Sequence, residues 1–207
     1  MSAGRPREFD MDQAVERAMV LFWRRGYEGT SMADLTAALG ITRASLYAAF
    51  GNKEGLFQRV MDRYEAKAGG YRTAAEQAAT SLEAVRLWLT GPVALHGDKQ
   101  NPPGCLGVQG ALACGVESDT IRSDLASRRQ RGEAAIRRRL QRAAKDHDLP
   151  GDDDPADLAR YLSALIYGMA VLAAGGTRRG ELQGVADVAL HHWPKAPRSR
   201  KQRNKPS

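Results

Sequence analysis

The sequence predicts an all-α protein with an N-terminal three-helix unit containing a helix-turn-helix and a larger C-terminal helical bundle. Three observations carry this expectation. Apolar residues recur at i, i+3, i+4 and i+7 along most of the chain, no segment keeps the period-two alternation of a strand, and Gly, Pro and capping residues punctuate these runs at helical lengths. With 207 residues and 43% hydrophobic content, a core can form without covalent staples.

The first helix is expected from the N-cap Asp10 to Arg25, with Val15, Ala18, Met19 and Phe22 on one face and Gly26 as its stop. Ser31 caps a short second helix in which Met32, Leu35 and Leu39 repeat, and Gly40 ends it. Thr42 caps an equally short third helix, with Ala44, Leu46 and Phe50 suited to packing, and Gly51-Asn52 breaks the chain. A fourth helix starts at Lys53, its stripe being Leu56, Phe57, Val60, Met61 and Tyr64, and is expected to close near Gly69-Gly70.

Beyond it, Ser81 to Leu89 is helical in pattern, Gly91-Pro92 should kink or break it, and Asp98 to Gly104 is a loop. Leu106 to Cys114 makes a short apolar helix and Ile121 to His147 a long Arg-rich one. Asp152-Asp153-Asp154-Pro155 marks the next start, with Pro at the first helical position and carboxylates favoured by the helix dipole. Leu158, Leu162, Leu165, Ile166, Met169 and Leu172 form its stripe, and a last helix runs from about Glu181 to Trp193. The domain expectation is therefore 1–52 for an arm and the helix-turn-helix, 53–193 for a helical domain that begins with a linker helix over 53–68, and 194–207 for a basic tail without a core of its own.

Net charge is a weaker guide than its value of +7 implies, because the last fourteen residues alone hold six basic side chains and no acidic one. Residues 1–68 hold ten basic against nine acidic side chains, so a nucleic-acid claim must rest on placed residues. Two cysteines are too few for a disulfide framework or a zinc site, residues 1–13 lack the apolar run of a secretory signal, and the apolar stretch from Tyr161 to Gly176 is short and bounded by arginines. These features point to the cytoplasm, with no membrane partner, no metal and no cofactor.

Two short helices joined by Gly40-Ile41 and clamped by longer neighbours fit a helix-turn-helix whose second member projects a polar face into a major groove. That face carries Thr42, Arg43 and Ser45 as base readers, Arg43 foremost because a guanidinium can pair bidentately with guanine. Tyr47 and Lys53 are placed to hold phosphates, one by its hydroxyl and the other by charge.

The run FWRRGYEGTSMADLTAALGITRASLYAAFGNKEGLF, from Phe22 to Phe57, resembles the TetR family of regulators in its entry segment, its closing segment and the spacing between them. The likeness is specific over about the first 65 residues and weaker beyond, where Pro103-Gly104-Cys105-Leu106 is similar to a stretch in one branch. It implies about nine helices, a homodimer made by the last two long helices, a cavity for a small-molecule effector, and a near-palindromic double-stranded DNA operator released on effector binding. It also implies phosphate contacts at Thr30, Tyr47 and Lys53, base contacts at Thr42, Arg43 and Ser45, and no enzymatic activity. Many relatives have histidine where this chain has Ala49, and a flexible arm carrying Arg5 and Arg7 can replace the lost backbone contact.

Other features admit two readings. The band Arg128, Arg129, Arg131 and Arg137 to Arg139 is either a solvated face or a site for an anion. Cys105 follows a Pro-Gly turn at a helix start, where amides can lower a thiol pKa, so it is either a thiol sensor or a small buried residue. An enzyme using Cys105 as nucleophile would need an orienting histidine and carboxylate that the sequence does not place, and a helical adaptor without DNA specificity would not need Arg43 at all.

Overall fold

The computed structural model describes residues 10–96, 98, 101–112, 118–149 and 151–194, and among them are nine α-helices and no strand. These are α1 (Met11–Arg25), α2 (Met32–Leu39), α3 (Arg43–Phe50), α4 (Lys53–Gln77), α5 (Ser81–His96), α6 (Leu106–Leu112), α7 (Asp119–Lys145), α8 (Pro155–Ala174) and α9 (Arg179–His192). The chain folds into two compact units, one within 1–67 and 106–123, the other within 68–105 and 124–207. Both units draw residues from α4 and α7. The proposed arm, Cys114 and the tail from Lys195 lie outside the described residues.

In the first unit the expected caps are present. The Asp10 carboxylate accepts from the Gln13 amide at 3.0 Å, and α1 buries Val15, Ala18, Met19, Phe22 and Trp23. Rings knit α1 to α4: Phe22 meets Phe57 edge-on at 5.0 Å, and Trp23 meets Tyr64 at 4.9 Å. Glu16, also on α1, accepts from Arg63 and Lys67 of α4, both at 2.7 Å. Burial alone would raise the Glu16 pKa, but the hydrogen bonds from Lys67 and Arg63 outweigh it and hold the carboxyl below its ordinary value.

The second unit surrounds Trp88, Leu89, Leu140, Leu162, Met169 and Trp193, with α5 packed against α8 and α9. Asp148 closes the start of α5, its carboxylate accepting from the Ser81 amide at 2.5 Å while its carbonyl accepts from the Ser81 hydroxyl at 2.6 Å. The chain reaches Asp148 because His147 takes a left-handed φ of 57° at the end of α7, and the Asp148 and Leu149 amides both donate to the Ala143 carbonyl. On α8 the Asp154 carboxylate accepts from Ala156 and Pro155 occupies the first turn, as the sequence predicts.

Two expected breaks are absent. The helix α4 continues through Gly69-Gly70 to Gln77, since neither glycine takes a positive φ and Ala68 and Ala75 are buried on either side. Packing thus offsets about 1 kcal/mol of helix propensity lost at each glycine. Likewise α5 passes through Gly91-Pro92, because Pro92 is buried in the core and Gly91 lets the helix lie against Tyr71. A Cβ at position 91 would come 2.3 Å from Tyr71 Cγ.

The apolar stripe of α8 is covered only in part. Leu172 is exposed, as are Tyr161 and Val171 on the same helix, whereas Leu162 and Met169 are buried and Leu158, Leu165 and Ile166 are partly so. An apolar run broader than one helix face leaves residues outside whatever single neighbour it packs against. Among the described residues α8 is the one helix long and apolar enough to cross a membrane by length and composition, yet it buries Ala159, Leu162, Ser163, Met169, Ala170 and Ala173 within the second unit.

Candidate nucleic-acid interface

The site is assembled from the turn upward. Gly40 takes a left-handed conformation (φ 70°, ψ 31°), from which its amide donates to the Thr36 carbonyl and ends α2, and Thr42 starts α3 two residues later. At that start the Thr42 hydroxyl oxygen accepts from the Ser45 amide at 3.1 Å and lies 2.9 Å from Ser45 Oγ. The cap thus draws two of the three predicted base readers into one polar cluster, with the third, Arg43, between them in sequence.

Leu46 and Phe50 are the buried anchors of α3, and every other residue from Thr42 to Ala48 is exposed. Ala44, expected to pack, is among the exposed ones, because two anchors four residues apart suffice to fix so short a helix. Arg43 lines a shallow cleft with Ser31, Met32, Ala33 and Thr36 of the α2 start. Tyr47 is 45% exposed, one turn along from Arg43.

The α2 start is held as firmly. Ser31 and Asp34 form a reciprocal capping box, and the Arg25 guanidinium donates to Asp34 at 2.7 Å, tying the end of α1 to it. Hydrogen bonds from the Ser31 hydroxyl and amide, then from Arg25, hold the Asp34 carboxyl down at about 2. The spacing Ser31-x-x-Asp34 is the sequence signature of such a capping box, whereas nothing local marks Arg25 as its support.

Lys53 opens α4, with its ammonium 4.2 Å from the centroid of the Tyr27 ring. Tyr27 itself stacks beside Phe22 and meets Phe57 edge-on, so the aromatic core sets where this cation stands. Tyr27 belongs to the GYEGTS segment, yet nothing in its spacing reveals a partner twenty-six residues away.

Thr30 is placed differently from the other predicted contacts. It is fully buried, and its hydroxyl donates to the Gly26 carbonyl at 2.8 Å, bracing the turn before α2. That bond engages the hydroxyl immediately before the Ser31 cap.

Cys105, in the second unit, is half-buried. Its neighbour Gly104 is hydrogen-bonded through its backbone to His96, whose pKa burial pushes down to about 4. The sequence places no histidine near this cysteine; the fold brings one to the adjacent residue. Among the described residues no group of three or more His, Cys, Asp or Glu side chains is gathered as a metal site requires.

A capped two-turn helix with an exposed polar face, packed against a second short helix, is the geometry of a major-groove reader. Comparison with known proteins agrees with it. Residues 14–60 match the bacterial regulatory proteins of the tetR family. The chain is 34% identical over 197 residues to the transcriptional repressor ComR of Escherichia coli, covering 93% of each protein. A solved structure of the TetR family transcriptional regulator CifR, a cysteine mutant complexed with 26-base-pair double-strand operator DNA, is 40% identical with a TM-score of 0.86 and covers 92% of this chain and 100% of that one. A TetR regulator from Rhodococcus is 41% identical over 90% of this chain and 100% of its own, with a TM-score of 0.61. The chain belongs to the TetR family, and is a helix-turn-helix, DNA-binding regulator of transcription.

Proposed function

We propose that this protein is a repressor that acts as a homodimer, holding the two halves of a near-palindromic operator with two copies of α3 and releasing them when a small molecule binds the second unit. The exposed face of α3 carries the proposal: Arg43, Ser45 and Tyr47 stand outward while Leu46 and Phe50 anchor the helix. Thr42, Arg43 and Ser45 read base edges, and Tyr47 and Lys53 fix the register on the phosphates. Arg5 and Arg7 extend the contact along the duplex. The protein does its work in the cytoplasm, on chromosomal DNA.

Pairing places two recognition helices roughly 34–36 Å apart, one turn of B-DNA. Large apolar side chains left exposed on α8 and α9, among them Leu172 and Val188, supply the surface for it. An effector regulates only if it binds the released conformation better than the DNA-bound one, since equal affinity would shift nothing. The names of ComR, a repressor, and of the operator-bound CifR structure support this reading.

A second reading attaches to Cys105, which is only half-buried and follows the Gly104 turn that is hydrogen-bonded to His96. There the sulfur would attack an electrophilic carbon, forming a C–S bond as the leaving group departs with its electron pair and the thiol proton passes to solvent. A Cys105→Ser protein that still releases DNA under an alkylating agent such as iodoacetamide would remove the thiol from the account.

The deciding experiment selects bound duplexes from a random pool with the purified protein at physiological salt. Recovery of a two-fold-symmetric site that Arg43→Ala no longer prefers is the expected result. A protein with no preference among duplexes, or one whose cellular behaviour is unchanged by Arg43→Ala and Tyr47→Phe, is an adaptor instead.

A further inference from the structure

The second unit carries a partly open cavity of about 60 Å³ lined by α4, α5, α7 and α8. Its exposed wall is mostly apolar, with Trp88, Ile136 and Ile166 among the lining residues, and its polar groups come from Tyr71, Arg72, Glu76, Ser163 and Tyr167. Ser163 is one of these. It is 6% exposed, and its hydroxyl has no hydrogen-bond partner. A buried hydroxyl left without a partner is disfavoured relative to one that a ligand satisfies.

Tyr167 lies one turn further along α8 and lines the same space. Its phenol donates to the Arg129 carbonyl only at 3.5 Å, the weak limit of such a bond, and burial pushes its pKa up to about 12. It therefore stays a neutral donor at any physiological pH. The charged residues of the lining, Arg72 and Glu76, oppose each other in sign, so the wall presents no net charge to a ligand.

We propose that this cavity binds a small uncharged organic molecule whose oxygen hydrogen-bonds Ser163 and Tyr167 while its carbon skeleton lies against Trp88 and Ile166. The volume is well below the ~150 Å³ of a closed cavity that holds a benzene ring, so a short-chain alcohol, ketone or ester is the occupant that matches it in size. The inference rests on the effector reading above for its regulatory meaning, but not for the binding itself.

The test titrates the full-length protein with acetone, methyl acetate and propan-1-ol, and with propanoate and propylammonium as charged probes of like size, by ligand-observed NMR. The neutral probes are expected to bind, with Ser163→Ala weakening them about fivefold to tenfold. The same variant should melt no lower than the parent, since it removes an unsatisfied hydroxyl, and that separates a ligand contact from a structural one. Ser163→Leu should abolish binding by filling the space; should it fail to fold, Ser163→Ala decides alone. Absence of binding by every neutral probe, equal binding of the charged ones, or unchanged affinity in Ser163→Ala overturns the proposal. If the neutral probes bind as expected yet do not release the selected duplex, the cavity stands and the effector reading falls.

Discussion

Arg43 opens a helix only two turns long, and what makes it useful is how little that helix buries. With Leu46 and Phe50 as anchors, the intervening side chains have no core to join and remain available to a groove. Replacing Arg43 with Ala should cost about 1–3 kcal/mol of discrimination at particular base pairs, seen as relaxed preference in competition binding. Lys53→Ala should instead weaken all duplexes alike and reduce the slope of log affinity against log salt by about one. Both residues can be picked from the sequence because capping and spacing are local. Thr30 cannot be judged that way: its burial and its bond to Gly26 depend on how the turn folds back, and no pattern at position 30 reveals that.

Helix starts are the most legible elements, since Asp10, Ser31, Thr42 and Asp154 each act on amides two or three residues away. Ser31→Ala should cost about 1 kcal/mol in urea unfolding through loss of the α2 cap. The same cap gives a pH signature. The folded-state pKa of Asp34 lies below the ordinary 3.8, so its stabilisation is whole above that value and is lost as pH falls to about 2. The stability difference between the parent and Asp34→Asn should therefore close over that range. Helix interiors are less legible. Gly69-Gly70 and Gly91-Pro92 are local break signals that tertiary contacts override, and Gly91→Ala should destabilise the protein by about 1–3 kcal/mol because Tyr71 occupies the space a Cβ needs. A shifted urea midpoint at unchanged slope would register it.

For the whole molecule, the proposed homodimer would gain its affinity from two copies acting together, because a tethered second half-site raises affinity without any new kind of contact. A Leu172→Asp/Val188→Asp protein should keep its helix content by circular dichroism, sediment as a monomer and lose at least tenfold in operator affinity. Such exposed apolar side chains cannot be told from core ones by periodicity, which reports that a helix has an apolar side but not which neighbour covers it. The amino-acid order alone determined the helical class, the capped turn-helix pair and the polar side chains exposed on it, though not the exposure of Ala44, because caps and spacing act within about four residues. The path of α4 through two glycines, the seat of Lys53 over Tyr27, the burial of Thr30 and the cavity beside Ser163 were decided only in three dimensions. Each depends on segments distant in the chain coming together, and which segments meet is a property of the packed core rather than of any local pattern.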